Sequence, residues 1–232
     1  MSVTVITLTG DRPTAFGLCL KWMLHQTLQP LQWIIVDDGK VPMLMRYPGY
    51  TWYERREPRT DDPLHTLTVN MAVALPLIMG DKILFMEDDE YYAPNYILQM
   101  DKLLDEHEIV GIGRSKYYHL PTGGYSRYNN MDHASLAQTG IRATFLPELR
   151  EALAGDCWLD IRIWKAAGSR GFVFDDKDEN LYVGMKGLPG RAGIGIGHRQ
   201  KYNTHDSPPR EILKGWAPDG FRYYMDVLAG SY

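Results

Sequence analysis

The sequence of 232 residues has only two cysteines, Cys19 and Cys157, and they lie far apart. Two distant cysteines supply neither a disulfide framework nor a Cys-x-x-Cys metal site, and they fit a reducing compartment. Long apolar runs are also missing, since none approaches the ~20 residues that a membrane span needs. The first residues, MSVTVITLTGDRP, lack the basic region and cleavage pattern of a signal peptide. We therefore expect a cytoplasmic protein (host cytoplasm if viral) with no membrane partner.

The sequence also lacks a strong net charge. The formal charge is −4, so no global basic field recruits nucleic acid or an anionic membrane, although a local basic patch would still be compatible with this value. The chain is 44% hydrophobic and 23% charged, which is typical of globular proteins. This length is sufficient for one large domain with its own core, and we expect a single domain over residues 1–232.

The first half alternates between apolar β-branched runs and segments with helical spacing of apolar residues. A strand–helix–strand order predicts parallel pairing with a right-handed crossover. Residues 41–63 are expected to be irregular. The expected strands are 3–9, 33–36, 82–86 and 108–112, and the expected helices are 14–28, 64–79 and 95–106.

The second half has weaker periodicity. Residues 113–130 are expected to form a loop or a hairpin, and the segment GDCWLDIRIWKAAGSRG a loop followed by a helix that ends at glycine. Further elements are expected at 141–146 and 172–174 as strands, and at 147–154 and 221–229 as helices.

Two of the expected strands end in acidic residues. WIIV is followed by Asp37-Asp38-Gly39, and ILFM by the acidic run that starts at Glu87. Parallel sheets bind ligands outside the carboxyl ends of their strands, so both groups could face one cleft. Carboxylates this close repel each other and need a counter-cation or good solvation.

Glu87 and Asp89 are two positions apart, so in an extended segment both side chains point the same way. Two hard oxygen donors on one side suit Mg²⁺ or Mn²⁺. The alternative is a solvated acidic turn before a helix, where carboxylates are favourable. For Asp37 and Asp38 the alternative to a ligand contact is an ordinary Asp-Gly turn.

Three segments in register, VTVITLTGDRP, WIIVDDG and ILFMEDDEYYAPNYI, resemble the nucleotide-sugar half of family 2 GT-A glycosyltransferases. The resemblance covers about residues 1–105. It implies an α/β fold of the GT-A (Rossmann-like) type, with a mixed, mostly parallel sheet flanked by helices. Residues 1–105 would be the nucleotide-sugar-binding half, and 106–232 the acceptor-binding and catalytic half.

The resemblance also implies roles for individual residues. Glu87 and Asp89 would bind Mn²⁺ or Mg²⁺, with Asp89 the best candidate for a direct ligand. The sequence departs from the family at Leu8-Thr9-Gly10, where Pro-Thr-Tyr is usual, and no aromatic residue is found to stack on uracil. Expected nucleotide-sugar-binding residues are Thr9, Arg12, Asp37, Asp38, Asn70, Asp88, Arg191 and Arg199.

The segment WLDIRIWKAAGSRG resembles the part of these enzymes that carries the catalytic base, with Asp160 and Trp164 matching the pattern and Arg162 replacing an acid. An inverting transfer needs a carboxylate that takes the proton of the acceptor hydroxyl. Asp160 is the first candidate and Asp156 the second. The alternative is an ordinary aspartate at a helix start.

A glycine-rich segment follows, KGLPGRAGIGIGHRQKYNTH. Glycines let backbone N–H groups approach phosphates, and Arg191 and Arg199 could hold a diphosphate. By the resemblance, His198 would complete the metal site, with His205 as the second choice. The segment could also act as a lid over the donor.

Segments 46–60 and 113–130 combine aromatic and basic residues. Aromatic faces stack on sugars and nucleobases alike, so the acceptor could be a glycan, a protein, a small molecule or a hydroxymethylated DNA base, as in some phage enzymes. The expected activity is metal-dependent transfer of a hexosyl or pentosyl group from a UDP-sugar, with inversion. A nucleotidyltransferase, a nucleotide-sugar hydrolase and a noncatalytic sugar- or nucleic-acid-binding module are the alternatives.

Overall fold

The computed structural model describes residues 2–155, 158–177, 179–193 and 208–232. Seven strands in these ranges form the main sheet. Six of them are parallel to one another, and the strand Thr139–Arg142 runs antiparallel to both of its neighbours. The spatial order is β10 (Gly171–Phe174), β6 (Ile109–Ile112), β9 (Thr139–Arg142), β4 (Lys82–Phe85), β1 (Val3–Thr9), β2 (Gln32–Asp37) and β3 (Thr51–Arg55). The prediction of a mixed, mostly parallel sheet is confirmed.

Helices cover both faces of this sheet. Side chains alternate between the two faces along each strand, so Val5 and Ile35 join one core cluster while Ile6 and Ile34 join the other. Burial on both faces explains why the central strands are continuously apolar. The helices are α1 (Pro13–Leu24), α2 (Leu67–Ala74), α3 (Tyr96–Leu103), α4 (Leu146–Ala152), α5 (Leu159–Ala167), α6 (Pro209–Trp216) and α7 (Phe221–Leu228).

A smaller, four-stranded sheet lies beside the carboxyl end of β4. Residues 113–130, which were expected to form a loop or a hairpin, contain the hairpin of β7 (Lys116–His119) and β8 (Gly124–Arg127). The strands, in spatial order, are β5 (Tyr91–Tyr92), β11 (Tyr182–Lys186), β7 (Lys116–His119) and β8 (Gly124–Arg127).

Several boundaries differ from the expectation. The first helix ends at Leu24 rather than at 28, because the Gln26 side chain donates to the carbonyls of Trp22 and Ala93 and ties the chain to another loop. β3 lies inside the segment expected to be irregular. β11 and α6 lie between 174 and 221, where no strand or helix was expected. β3 is a half-buried edge strand, so it has no apolar run that would reveal it. No helix in the described ranges has the length and apolar character that crossing a bilayer requires.

Candidate active site

A cleft of about 700 Å³ opens at the carboxyl ends of β1 and β4. Its walls come from the loops after these two strands, from the segment before α2, from the start of α5 and from the end of β11. The residues of the predicted site that line it are Thr9, Arg12, Asn70, Glu87, Asp88, Asp89, Asp160 and Arg191. Both predicted halves of the chain therefore contribute to one cavity.

The acidic run after β4, residues 87–90, lines the cleft. Glu87, Asp89 and Glu90 each offer a carboxylate oxygen, and these oxygens lie within 4.8 Å of one another. The backbone is fixed here because the Glu87 N–H donates to the Tyr92 hydroxyl at 2.8 Å, and this hydroxyl donates in turn to the Ala137 carbonyl. Three convergent carboxylates are the donor set of a site for a hard divalent cation.

Arg12 is the first counter-cation of this acidic run. Its Nη1 donates to Asp88 Oδ1 at 2.7 Å and lies 3.1 Å from Asp89 Oδ2. Asp88 also accepts from the Thr9 hydroxyl at 2.7 Å. Burial opposes the charge of Arg12, but the neighbouring Asp89 and Asp88 outweigh it and raise the pKa of the guanidinium. Thr9 and Arg12 thus position the acidic loop from β1.

Lys186, at the end of β11, is the second counter-cation and was missed in the sequence. Its Nζ lies 2.5 Å from Glu90 Oε1, and the other Glu90 oxygen accepts from the Met185 N–H. Burial opposes the lysine charge, but the carboxylates of Glu90, Asp89 and Glu87 raise its pKa. The only sequence signal for Lys186 is its place as the first residue of the glycine-rich segment, because its pairing with Glu90 depends on strand β11.

The carboxylate of Glu87 has no hydrogen bond or ion pair within the part of the chain that the structure describes. Burial and the nearby Asp89 raise the pKa of Glu87 to about 7. Since Arg12 and Lys186 are engaged with the other acids, a divalent ion at Glu87 and Asp89 would supply the missing positive charge. The residues present therefore fit Mn²⁺ or Mg²⁺, with Glu90 as a third oxygen donor that the sequence analysis did not include.

Asp37 holds the loop after β2. It is fully buried and accepts from the Gly39 N–H at 2.9 Å, the Met43 N–H at 2.8 Å and the Tyr53 hydroxyl at 2.6 Å. Because the Asp37 carboxylate accepts these three hydrogen bonds within the protein, it fixes the conformation of the loop.

Asp38 lies at the centre of a polar network beside the cleft. It accepts from Arg56 at 3.0 Å, from Arg191 at 2.5 Å and from the Thr66 hydroxyl. Burial opposes ionisation, but the hydrogen bonds from Arg191 and Thr66 outweigh it and lower the pKa of Asp38 to about 2. Asn70 joins the network by accepting from Arg56 Nε. Arg56 was not among the expected site residues, and it directly follows β3, which was not expected either.

The lack of space around Gly10 explains why this sequence has glycine where the resembling Pro-Thr-Tyr pattern has tyrosine. A Cβ atom at Gly10 would lie 2.3 Å from Asp38 Oδ1 and 2.7 Å from Arg191 Nη2. Real Cβ atoms do not come this close to other heavy atoms, so this turn has no space for the usual tyrosine. Arg191 reaches the turn because its N–H donates to the Asp11 carbonyl and its carbonyl accepts from Arg12 Nε at 2.5 Å.

Asp160 lies in the first turn of α5 and faces the same cleft as the acidic run. Burial raises its pKa, and its charge contributes to the raised pKa of Glu87. Trp164 of the same motif is buried and donates to the Thr139 hydroxyl at 3.0 Å, which anchors α5 on the sheet. Arg162 donates to the Ala152 carbonyl at 2.7 Å. Four candidate residues lie outside the described residues: Asp156, His198, Arg199 and His205.

Neither a protein-family model nor a curated protein matches this chain. Solved structures do. S. aureus TarS 1-349 matches with a TM-score of 0.60 at 15% identity, covering 80% of this chain and 60% of that one. The complex of TarS 1-349 with UDP-GlcNAc gives 0.58 at 17% identity, covering 100% and 71%.

A second solved protein is similar. The mannosyltransferase PcManGT from Pyrobaculum calidifontis, in complex with GDP-Man and Mn²⁺, matches with a TM-score of 0.54 at 14% identity, covering 99% of this chain and 74% of that one. At such identities the likeness shows the fold and nothing finer. The sheet order, the flanking helices and these comparisons agree, and the chain has the GT-A fold.

Proposed function

We propose that this protein is a metal-dependent glycosyltransferase that moves a sugar from a nucleoside diphosphate sugar to an acceptor hydroxyl. One observation carries the proposal: within a GT-A fold, Glu87, Asp89 and Asp160 line the same cleft at the carboxyl ends of the strands. The carboxylates of the acidic run suit a cation that neutralises a diphosphate, and Asp160 suits a base.

The donor would occupy the part of the cleft near β1. Arg12, Arg191 and Lys186 are the cations in reach of a diphosphate there. Glu87 and Asp89 would hold Mn²⁺ or Mg²⁺, which stabilises the negative charge of a departing diphosphate. UDP-sugars are the first donors to test because TarS was solved with UDP-GlcNAc, and GDP-mannose is the next because PcManGT was solved with it.

Asp160 would act as the general base. Its carboxylate takes the proton of the acceptor hydroxyl while the oxygen attacks C1 of the donor sugar and the bond from C1 to the diphosphate breaks. Attack on the face opposite to the leaving group inverts the configuration at C1. The raised pKa of Asp160 makes it a stronger base than an exposed aspartate.

The acceptor would enter beside Asp160. Two aromatic side chains line this part of the cleft and are half exposed, Trp158 and Tyr128, and the Tyr117 ring packs edge-on against Tyr128 at 5.3 Å. Such faces bind sugar rings or bases. A glycan or a small glycoside is the first acceptor class to test and a hydroxymethylated DNA base the second. The Lys and Arg side chains that line the cleft in the described part of the chain are Arg12, Lys186 and Arg191, and all three are assigned to the donor diphosphate, which leaves none for a DNA backbone.

Thermal unfolding with a panel of nucleotides and nucleotide sugars, with and without Mn²⁺, tests the proposal. Ligand binding raises the melting temperature by mass action. We expect a Mn²⁺-dependent shift with one nucleoside diphosphate and release of that diphosphate on turnover. Release of pyrophosphate would indicate a nucleotidyltransferase, turnover of the donor without any acceptor a hydrolase, and a metal-independent shift without turnover a binding module.

A further inference from the structure

The loop after β2 exposes large apolar side chains. Val41 is 72% exposed, Leu44 87% and Met45 39%. Single exposed apolar residues are common, whereas a group of them marks an interaction surface. Two basic residues, Lys40 and Arg46, flank this group directly in the sequence.

The loop is held in place by its central residue. Met43 is buried, its N–H donates to Asp37 Oδ2 at 2.8 Å, and its carbonyl accepts from the Tyr47 hydroxyl at 2.7 Å. The Leu44 N–H donates to the Pro42 carbonyl at 3.0 Å. Because Met43 is fixed inward, its neighbours are presented outward.

The exposed group continues onto α1. Met45 lines a groove of about 460 Å³ together with Leu20, Leu24 and the ring of Tyr232, and Leu24 is 54% exposed. We define the apolar patch as Leu24, Val41, Leu44 and Met45.

Positive charge borders the apolar patch. We define the basic rim as Lys21, Lys40 and Arg46, none of which forms a salt bridge within the described ranges. The Lys21 ammonium lies 4.7 Å from the ring centroid of Tyr223 and 5.7 Å from that of Tyr232. Three cations around four apolar side chains contrast with a chain whose formal charge is −4.

We propose that the apolar patch and the basic rim dock this protein on an anionic membrane surface. An apolar face bordered by Lys and Arg is the arrangement that binds the headgroup region of a bilayer, with the apolar tips entering its boundary. Each basic residue close to an anionic bilayer strengthens binding about fivefold. The sequence predicts no membrane partner, because no segment could span a bilayer and no global basic field would attract an anionic one. Docking on the surface needs no span, and the basic rim is a local patch.

Sedimentation with lipid vesicles tests this proposal and does not depend on the proposed enzymatic activity. The full chain would be mixed with vesicles of phosphatidylcholine alone and with vesicles of phosphatidylcholine and phosphatidylglycerol in equal parts. We expect the protein to pellet with the anionic vesicles, less so as salt rises, and to stay in solution with the neutral ones.

Variants separate the apolar patch from general effects. Leu44→Asp should weaken vesicle binding by roughly tenfold or more. The leucine side chain, which would be buried in the bilayer boundary, is replaced by a charge that anionic lipid repels. Lys40→Glu and Arg46→Glu should each weaken it and flatten the salt dependence. Met79→Asp is the matched control, since Met79 is 71% exposed and lies before the amino end of β4, whereas the loop with Leu44 follows the carboxyl end of β2. Unchanged melting temperatures would show that all variants fold.

Three results would overturn the proposal. One is a wild-type protein that does not pellet with either vesicle. Another is an equal loss of binding for Leu44→Asp and Met79→Asp. The third is a self-associating protein that Leu44→Asp makes monomeric without any vesicle binding, because a second copy of the chain would then cover the apolar patch.

Discussion

Nη1 of Arg12 lies 3.1 Å from Oδ2 of Asp89. The carboxylate that the sequence assigns to a metal ion is thus already next to a guanidinium from the loop after β1. A bound divalent ion and Arg12 would both neutralise the carboxylates of the acidic run. Each cation should therefore partly replace the other in stabilising the folded protein.

Arg12→Gln tests this mutual replacement. Removing one partner of a buried ion pair leaves uncompensated carboxylates, so the free energy of unfolding in EDTA should fall by about 3 kcal/mol. Mn²⁺ should then restore more stability to the variant than it adds to the wild type. Denaturant unfolding with EDTA and with Mn²⁺ measures both quantities. A variant that gains no more from Mn²⁺ than the wild type would speak against a metal at this acidic run.

Asp89→Asn should remove the metal dependence of nucleotide binding. The substitution keeps the shape of the side chain but takes away the charged oxygen ligand that a hard divalent ion prefers. The Mn²⁺-dependent rise in melting temperature with a nucleoside diphosphate should disappear. Asp61→Asn is the control, because the Asp61 side chain is exposed and, among the residues that the structure describes, its one ion pair is with the exposed Arg59. An equal loss in both variants would contradict the assignment.

Asp160→Asn should lower kcat and leave donor binding intact. Loss of a general base costs about 10² to 10⁴ in rate, whereas the thermal shift with the donor depends on other residues. Kinetics with a saturating donor and the nucleotide melting panel measure the two effects separately. A variant that loses donor binding as well would show that Asp160 acts in the donor site.

The same residue predicts a pH dependence. Burial raises the pKa of Asp160, and the base must be ionised to accept a proton. The rate should therefore be maximal at neutral pH, where Asp160 is ionised. It should fall as the pH drops through the pKa of Asp160, which lies above the ordinary aspartate value of about 3.9. A rate–pH profile that stays flat down to the ordinary value would contradict this role.

The acidic residues and their partners show which parts of the site can be predicted from the sequence. It located Glu87 and Asp89 correctly at the end of a buried strand, since apolar runs and a following proline are local signals. Lys186 and Arg56 could not be found in this way, because their partners are 96 and 18 positions away. Their pairing requires β11 and β3, and neither strand shows a clear hydrophobic periodicity. β3 is short and half-buried, and β11 is short and contains a glycine.

The sequence also suggested that Asp37 and Asp38 contact the nucleotide, and this stays a prediction. What local patterns could not show is that each side chain already has three donors within the protein. Buried polar groups must find such partners on folding. Most of these partners lie in segments expected to be irregular or glycine-rich: Met43, Tyr53, Arg56 and Arg191.

Asp38 should make stability depend on pH in the acid range. Its pKa in the folded protein is about 2, below the unfolded value of about 3.9, so the unfolded chain takes up the proton first. The stabilisation is complete above the unfolded pKa and is lost as the pH falls toward 2. Asp38→Asn should lower the free energy of unfolding by about 2 kcal/mol at neutral pH. The difference between variant and wild type should shrink in acid, and a difference that stays constant would contradict the pKa.

Gly10→Ala tests whether the close approach of the first turn to Asp38 is required. The new methyl group would lie 2.3 Å from Asp38 Oδ1 and 2.8 Å from the Gly39 nitrogen, so the loops after β1 and β2 must separate. Overpacking of this kind costs about 1 to 3 kcal/mol, and donor affinity should fall with it because Arg12 and Arg191 are tied to the same turn. Gly49→Ala is the matched control, since nothing lies within 4 Å of its Cβ, and it should be neutral or slightly stabilising. Equal stability and equal donor affinity in the two variants would show that the turn can relax without affecting the cleft.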